Sequence, residues 1–126
     1  MWLKGGKKAV VSEIIFVGTG GFIGAILRYL VSGAIPRVNE IPTGTLAVNS
    51  IGSFVLALMT FTSVEGSLGF FICTGMLGSF TTFSTFAYES FRLLEEGENK
   101  YFLLNIILNI TVCLSAALLA YRIIMP

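Results

Sequence analysis

Residues 75–86, Gly-Met-Leu-Gly-Ser-Phe-Thr-Thr-Phe-Ser-Thr-Phe, constrain this chain more than any other stretch. They lie inside a hydrophobic segment, yet five of the seven residues from Ser79 to Thr85 carry hydroxyls. Phe80, Phe83 and Phe86 recur at every third position, and Gly75 and Gly78 precede them. A segment that only crosses lipid has no use for this chemistry. Polar groups at membrane depth have to find partners in protein or in a water-filled cavity. The stretch therefore reads as a functional interruption in a membrane helix, which the other segments bury and position. The plainer alternative has Ser and Thr bonding back to their own helix while Phe faces lipid. Hydroxyls interleaved with Phe after two glycines count against it.

The charge content supports a membrane setting. Of 126 residues only 12% are charged and 55% are hydrophobic, with mean hydropathy +0.87. A soluble domain carries roughly 25% charge. A net charge of +1 leaves no electrostatic footprint for nucleic acid. His is absent, which removes the commonest general base and metal ligand. No nucleophile–base pair or metal cluster stands in the pattern, so an enzyme is not expected. Cys73 and Cys113 lie 40 residues apart in apolar runs without CxxC spacing, and they read as small buried hydrophobes rather than as a zinc or redox site. Lys4, Lys7 and Lys8 precede the first apolar run as in a signal peptide. No small-x-small cleavage site leads into a soluble domain, so the run reads as a retained first membrane helix.

Four apolar segments follow, at about residues 14–35, 46–62, 68–94 and 101–124. Each is near the ~20 residues that cross the hydrocarbon core. They predict an all-α membrane protein: a single four-helix transmembrane domain over residues 1–126, its third helix broken near the middle. In segment one, Gly20 and Gly24 form a GxxxG spacing that lets another helix approach closely. A dinucleotide fingerprint fails there, because its third glycine position falls on Ile23. Arg28 sits inside the same span, where it snorkels to the interface, faces a polar cavity or pairs with an acid; it and Glu89 are expected to face one polar vestibule, with pairing between them open. Asn49, one turn into segment two, has to be satisfied; helix–helix contact and a pore-facing donor are both open. Asn105, Asn109 and Cys113 are spaced by four and share one face of segment four, which suggests a polar track. Glu89 follows Phe86 by three residues on the same face.

These groups select a permeant. Acidic rings suited to cations are missing from the segment centres, whereas hydroxyl and amide donors are plentiful. Phe ring edges carry partial positive charge. Edges together with N–H and O–H donors can replace water around a small anion. The carbonyls freed by a broken helix can bind a monovalent cation.

The stretch Gly75 to Phe86 resembles the signature of the Fluc fluoride channels, the CrcB family. Gly20-Gly-Phe-Ile-Gly24-Ala-Ile-Leu-Arg28 is similar to its first-helix motif, and Gly44-Thr-Leu-Ala-Val-Asn49-Ser-Ile-Gly-Ser-Phe54 to its second. Glu89 stands where the family places a glutamate. The resemblance covers nearly the whole chain, and the third-helix motif is its most specific part. It implies a passive, highly selective fluoride channel in a prokaryotic cell membrane, lowering cytoplasmic fluoride. It also implies an antiparallel dual-topology homodimer with two pores and one central Na⁺. By motif match, Phe83 and Phe86 would present ring edges to fluoride. Asn49 would donate to it, and Ser84 and Thr85 would support the break or the polar track. Gly78 and Thr81 would offer backbone carbonyls to Na⁺. Asn109 and Cys113 would lie on the polar track, where Cys113 departs from the usual Ser or Thr and is a weaker donor. Arg28 would be the vestibule arginine.

Two competing classes are a small proton-coupled multidrug exporter and a non-transporting assembly subunit. The exporter needs a carboxylate near mid-membrane in the first helix, and Glu13 lies before the apolar run. Orientation follows the Lys/Arg bias of short loops. One side holds Lys4, Lys7, Lys8 and Arg122, and the other Arg28, Arg37, Arg92 and Lys100, dividing the eight basic residues evenly. This balance is read either as a weak preference set by the N-terminal cluster or as insertion both ways. Insertion both ways suits an antiparallel pair, whose close approach the glycines of segment one would allow. Extra lysines in the Ser63–Ser67 turn are expected to drive copies N-in, and extra lysines near Asn99 to drive them N-out. Each locked variant alone should lose fluoride efflux and co-expression should restore it. Full efflux from one locked variant rules out the antiparallel requirement.

Overall fold

The computed structural model describes the backbone of residues 2–126 and the side chains of all but residues 1–5 and 7. Lys4 and Lys7, part of the basic cluster, lie outside the described side chains. The chain is helical throughout: α1 (Trp2–Ala34), α2 (Thr43–Phe61), α3 (Gly66–Gly69), a π-helical run (Phe70–Leu77), α4 (Gly78–Phe80), α5 (Phe83–Glu95) and α6 (Asn99–Ile124). Four spans are long and apolar enough to cross a membrane: Lys8–Ala34, Thr43–Phe61, Gly66–Glu95 and Asn99–Ile124. The segments sit where hydropathy puts them, but their ends differ. The helical backbone of α1 begins at Trp2, well ahead of residue 14, because lysine tolerates helix. Charge marks where lipid starts rather than where the helix starts. At its other end, α2 begins at Thr43, directly after Pro42, where the Thr43 hydroxyl donates to the carbonyl of Pro36.

The helices associate as two long pairs, α1 against the π-helical run and α2 against α6. The first pair is built on glycine. A Cβ on Gly20 would meet the carbonyl of Phe71, and one on Gly24 would meet the carbonyl of Met76 and the hydroxyl of Ser79. From the facing side, a Cβ on Gly75 would meet the carbonyl of Val17. Backbones this close leave room for the Ser79 hydroxyl to donate to the carbonyl of Gly21 at 2.7 Å. The GxxxG spacing thus works inside the chain. The close approach expected to serve a second copy is occupied by the third crossing.

Between α4 and α5 the backbone leaves helical geometry for two residues. Thr81 has ψ 155° and Thr82 has φ −149° and ψ 113°, both extended. Helix resumes because the Thr82 hydroxyl accepts from the Thr85 N–H at 3.1 Å, as an N-cap does. At its far end α5 closes in a Schellman motif: Glu98 N–H donates to the Leu93 carbonyl at 2.9 Å and Gly97 N–H to Leu94 at 3.1 Å. Gly97 supplies the φ of +79° that this requires.

Polar side chains share the interior with apolar ones such as Val48 and Leu93. Thr45, Thr82, Ser90, Asn105 and Asn109 are buried, while Phe22, Leu114 and Leu118 are among the large apolar side chains left on the outside. The apolar exterior is the lipid-facing surface of a membrane protein.

Gly18 and Gly24 test the glycine contact with opposite signs, since nothing lies near a Cβ at Gly18. Gly18→Ala is expected to raise thermal stability in detergent by about 0.5–1 kcal/mol. Gly24→Ala is expected to lower it by about 1–3 kcal/mol, because the backbones have to separate. A neutral Gly24→Ala would show that the pair does not depend on this approach.

Candidate functional site

The site begins as a hydrogen-bonding problem. The Thr81 N–H still donates to the Leu77 carbonyl at 3.1 Å, but Thr82 presents an N–H and a C=O that no helix satisfies, each costing several kcal/mol in hydrocarbon. Asn49, from α2, takes both groups of Thr82. Its Oδ1 accepts from the Thr82 N–H at 2.8 Å and its Nδ2 donates to the Thr82 carbonyl at 3.1 Å. The side chain thus pairs with the interruption as a neighbouring strand would. A Cβ on Gly52, one turn along α2, would meet the Thr81 side chain, so glycine there lets α2 lie close.

The two caps have a further effect. In an unbroken helix the Thr82 N–H would serve the Gly78 carbonyl and the Thr85 N–H would serve the Thr81 carbonyl. Asn49 takes the first N–H and the Thr82 hydroxyl takes the second. Gly78 and Thr81 therefore lose their ordinary helical donors, and Gly78 lies exposed on the chain's surface. These are the carbonyls that the family resemblance implies for a cation. Hard cations favour such oxygens. No cluster of three or more His, Cys, Asp or Glu stands among the described residues to bind a metal otherwise.

Against the interruption lies a groove of about 360 Å³, lined by Phe83, Phe86, Asn49, Asn109, Cys113 and Thr81 among others. The Phe83 and Phe86 rings stand 5.8 Å apart with planes inclined at 59°. Phe83 is 79% exposed, so the groove is open along the surface of the single chain. Cys113 is a free, half-buried thiol in the groove wall.

Behind the groove runs a file of hydrogen bonds. Asn49 Nδ2 donates to Asn109 Oδ1 at 3.5 Å, and Asn109 Nδ2 donates to Asn105 Oδ1 at 3.1 Å. Asn105 Nδ2 donates to the Ser90 hydroxyl at 2.9 Å, which donates to the Phe86 carbonyl at 2.7 Å. The file starts at the backbone of the interruption and ends on the backbone of one of its phenylalanines. Ser90 was missed in the sequence. Its one signal was the four-residue step from Phe86, which is also the step of an ordinary back-bonding helix serine.

Other expected residues fall elsewhere. Arg28 and Thr85 line a separate cavity of about 180 Å³ on the far side of Thr82, together with Tyr29, Ser32 and Thr45. Thr85, Tyr29, Ser32 and Thr45 also line an adjoining cavity of about 210 Å³ that contains Glu89 and Arg37. Arg28 and Glu89 thus open on neighbouring spaces without pairing; the ion pair among the described residues is Arg92–Glu96 at 2.8 Å. One Glu89 carboxylate oxygen is buried without a hydrogen-bond partner. Ser84 is exposed and lines none of these cavities, its hydroxyl lying 3.3 Å from that of Thr82.

Known proteins match this chain along its length. It is 58% identical over 109 residues to "Fluoride-specific ion channel FluC 3" of Methanosarcina acetivorans, covering 86% of this chain and 98% of the relative. It is 54% identical over 111 residues to "Fluoride-specific ion channel FluC 1" of Methanosarcina barkeri, covering 88% and 96%. A bacterial relative, "Fluoride-specific ion channel FluC" of Campylobacter jejuni, is 46% identical over 123 residues, covering 90% and 98%. The family model described as CrcB-like protein, Camphor Resistance (CrcB), matches residues 15–121. That match takes in the glycine contact, the amide-capped interruption and the groove, and the chain belongs to the CrcB family.

Proposed function

We propose that this multi-pass membrane protein is a fluoride-specific ion channel that lets fluoride leave a prokaryotic cell passively, lowering its cytoplasmic concentration. The observation that carries this reading is the groove where the Phe83 and Phe86 rings meet the Asn49 and Asn109 amides beside the interruption. A small, strongly hydrated anion loses water only where donors replace it. Ring edges supply diffuse positive charge that does not trap the ion, and the Asn49 amide supplies a directional N–H. A conducting site must bind well enough to admit an ion and weakly enough to release it. Arg28 and Thr85, across the interruption, would form the vestibule from which the anion enters, and Ser84 would support the turn at Thr82. Nothing in this scheme is a reaction, so no catalytic group is assigned. The multidrug-exporter reading is not favoured, since Glu13 lies at the edge of the first apolar run rather than in its middle.

The groove is open to one side, which supports an antiparallel homodimer with dual topology as the working unit. A second copy would cover the phenylalanines and complete two pathways. It would also bring the exposed Gly78 segments of the two chains together, so that the Gly78 and Thr81 carbonyls of both could hold one central Na⁺. This donor set suits a monovalent cation, because no carboxylate accompanies it. The third crossing is then functionally broken: its interruption releases carbonyls on one side and positions rings on the other.

Phe86→Ile keeps bulk but removes the ring quadrupole. Fluoride efflux from reconstituted liposomes is expected to fall at least ~100-fold while the oligomer persists on size exclusion, because loss of the positive edges leaves the ion dehydrated without compensation. Wild-type efflux in this variant would remove Phe86 from the pathway. Exhaustive replacement of Na⁺ by a large organic cation should abolish efflux or lower the melting temperature. If neither changes, the carbonyl site has no role.

A further inference from the structure

We propose that Ser90 and Asn105 are positioning residues: through the Asn105 Oδ1 they help hold the Asn109 amide with its oxygen toward Asn49, and so keep one N–H of Asn49 as the donor that meets an anion. This rests on the channel reading above. Neither residue lines the groove, and both are buried, Asn105 completely and Ser90 to 5% exposure. They reach the pathway through the hydrogen bonds of this file.

An amide is two-faced, since its NH₂ end attracts an anion and its oxygen repels one. Burial does not decide which end faces a groove. In this chain backbone groups make the decision: Thr82 for Asn49, the Asn105 carbonyl for Asn109 and the Phe86 carbonyl for Ser90. The Thr82 N–H can only donate, so it demands the Asn49 oxygen. The Phe86 carbonyl can only accept, so it demands the Ser90 proton. Ser90 then offers its lone pair to Asn105, which fixes Asn105 Nδ2 on that side and Oδ1 toward Asn109. Asn109 spends Nδ2 on the Asn105 side chain and carbonyl, both at 3.1 Å, and turns Oδ1 to Asn49. Reversing any one amide sets N–H against N–H or oxygen against oxygen.

The Asn49–Asn109 link is the longest in the file at 3.5 Å, and both its residues line the groove. An anion there can replace the Asn109 oxygen as acceptor from Asn49 while the other bonds stay in place. With the Ser90 hydroxyl removed, Asn105 loses the acceptor that orients it. Asn105 can then turn its NH₂ toward Asn109, leaving the Asn105 backbone carbonyl as the one acceptor that holds Asn109 in place; where Asn109 turns over, its NH₂ stands beside that of Asn49 and the two donors hold an anion more tightly.

The test compares Ser90→Ala, Ser90→Cys and Ser90→Thr by initial fluoride efflux from liposomes over a range of fluoride concentrations, with size exclusion reporting the folded protein. Ser90→Thr keeps a hydroxyl that bonds the carbonyl four residues back. We expect it to keep its half-saturating fluoride within about twofold of wild type. Ser90→Ala should half-saturate at about tenfold less fluoride, the equivalent of one added hydrogen bond to the ion. Should Ser90→Ala not fold, Ser90→Cys carries the same comparison, with similar volume and a weak donor. Half-saturation unchanged in the variants lacking the hydroxyl, or shifted equally in Ser90→Thr, overturns the proposal while wild-type efflux keeps the channel reading. A wild-type protein that passes no fluoride overturns both.

Discussion

The structure depends on one side chain meeting two backbone groups. Asn49 accepts from and donates to Thr82, and this lets a membrane-crossing segment leave helical geometry without stranding polar groups in lipid. Everything distinctive about the site follows from that exchange. Because the Thr82 N–H goes to Asn49, the Gly78 carbonyl loses its helical donor. Because the backbone is extended, the Thr82 hydroxyl is placed to start α5, and α5 begins with the phenylalanine that walls the groove. One amide thereby ties the carbonyl side of the interruption to its ring side.

The rest of the chain keeps α2 and the third crossing in the register this contact needs. Backbone-to-backbone packing at Gly20, Gly24 and Gly75 fixes the third crossing against α1, where larger side chains would hold it off. The Ser79–Gly21 hydrogen bond fixes its position along α1. On the other side, α2 lies along α6 and meets it through the Asn49–Asn109 amides at 3.5 Å, while the buried Asn105 ties α6 to Ser90 of α5 at 2.9 Å. Association by small residues and interhelical hydrogen bonds is what lipid demands, since apolar side chains gain little by leaving one hydrocarbon surroundings for another.

The four crossings were legible because charge depletion and apolar run length are direct readings of lipid thickness. Residues 79–85 were legible as a site because hydroxyls at that density conflict with their apolar setting. The partners of those residues were less so. Asn49 stood out, but its 33-residue separation from Thr82 gives no periodicity to read, so helix contact and pore donor could not be told apart. In the structure it both braces the interruption and lines the groove. Ser90 was hidden for the opposite reason, since a helix serine four residues after Phe86 has an ordinary local explanation. Arg28 and Glu89 share an end of the molecule, yet proximity along helices did not settle pairing. Their side chains open on adjoining cavities. The GxxxG spacing announced a close helix neighbour without saying whose it was.

The π-helical run Phe70–Leu77 carries a consequence for the azimuth of everything after it. Each residue of an α-helix turns the chain by about 100°, so a stretch wound more loosely than 3.6 residues per turn delays that rotation. The run lies just ahead of Gly78 and works as a vernier between the α1-facing half of the crossing and the half that bears Phe83 and Phe86. Gly75 inside it is committed to α1, so the phase error appears downstream, at the interruption. Rewinding the run as regular α-helix would leave Gly75 in place yet swing the Gly78 and Thr81 carbonyls around the helix axis, away from the direction in which α2 meets Thr82. The looser winding is therefore a rotational setting, made within the turn before the groups it aims.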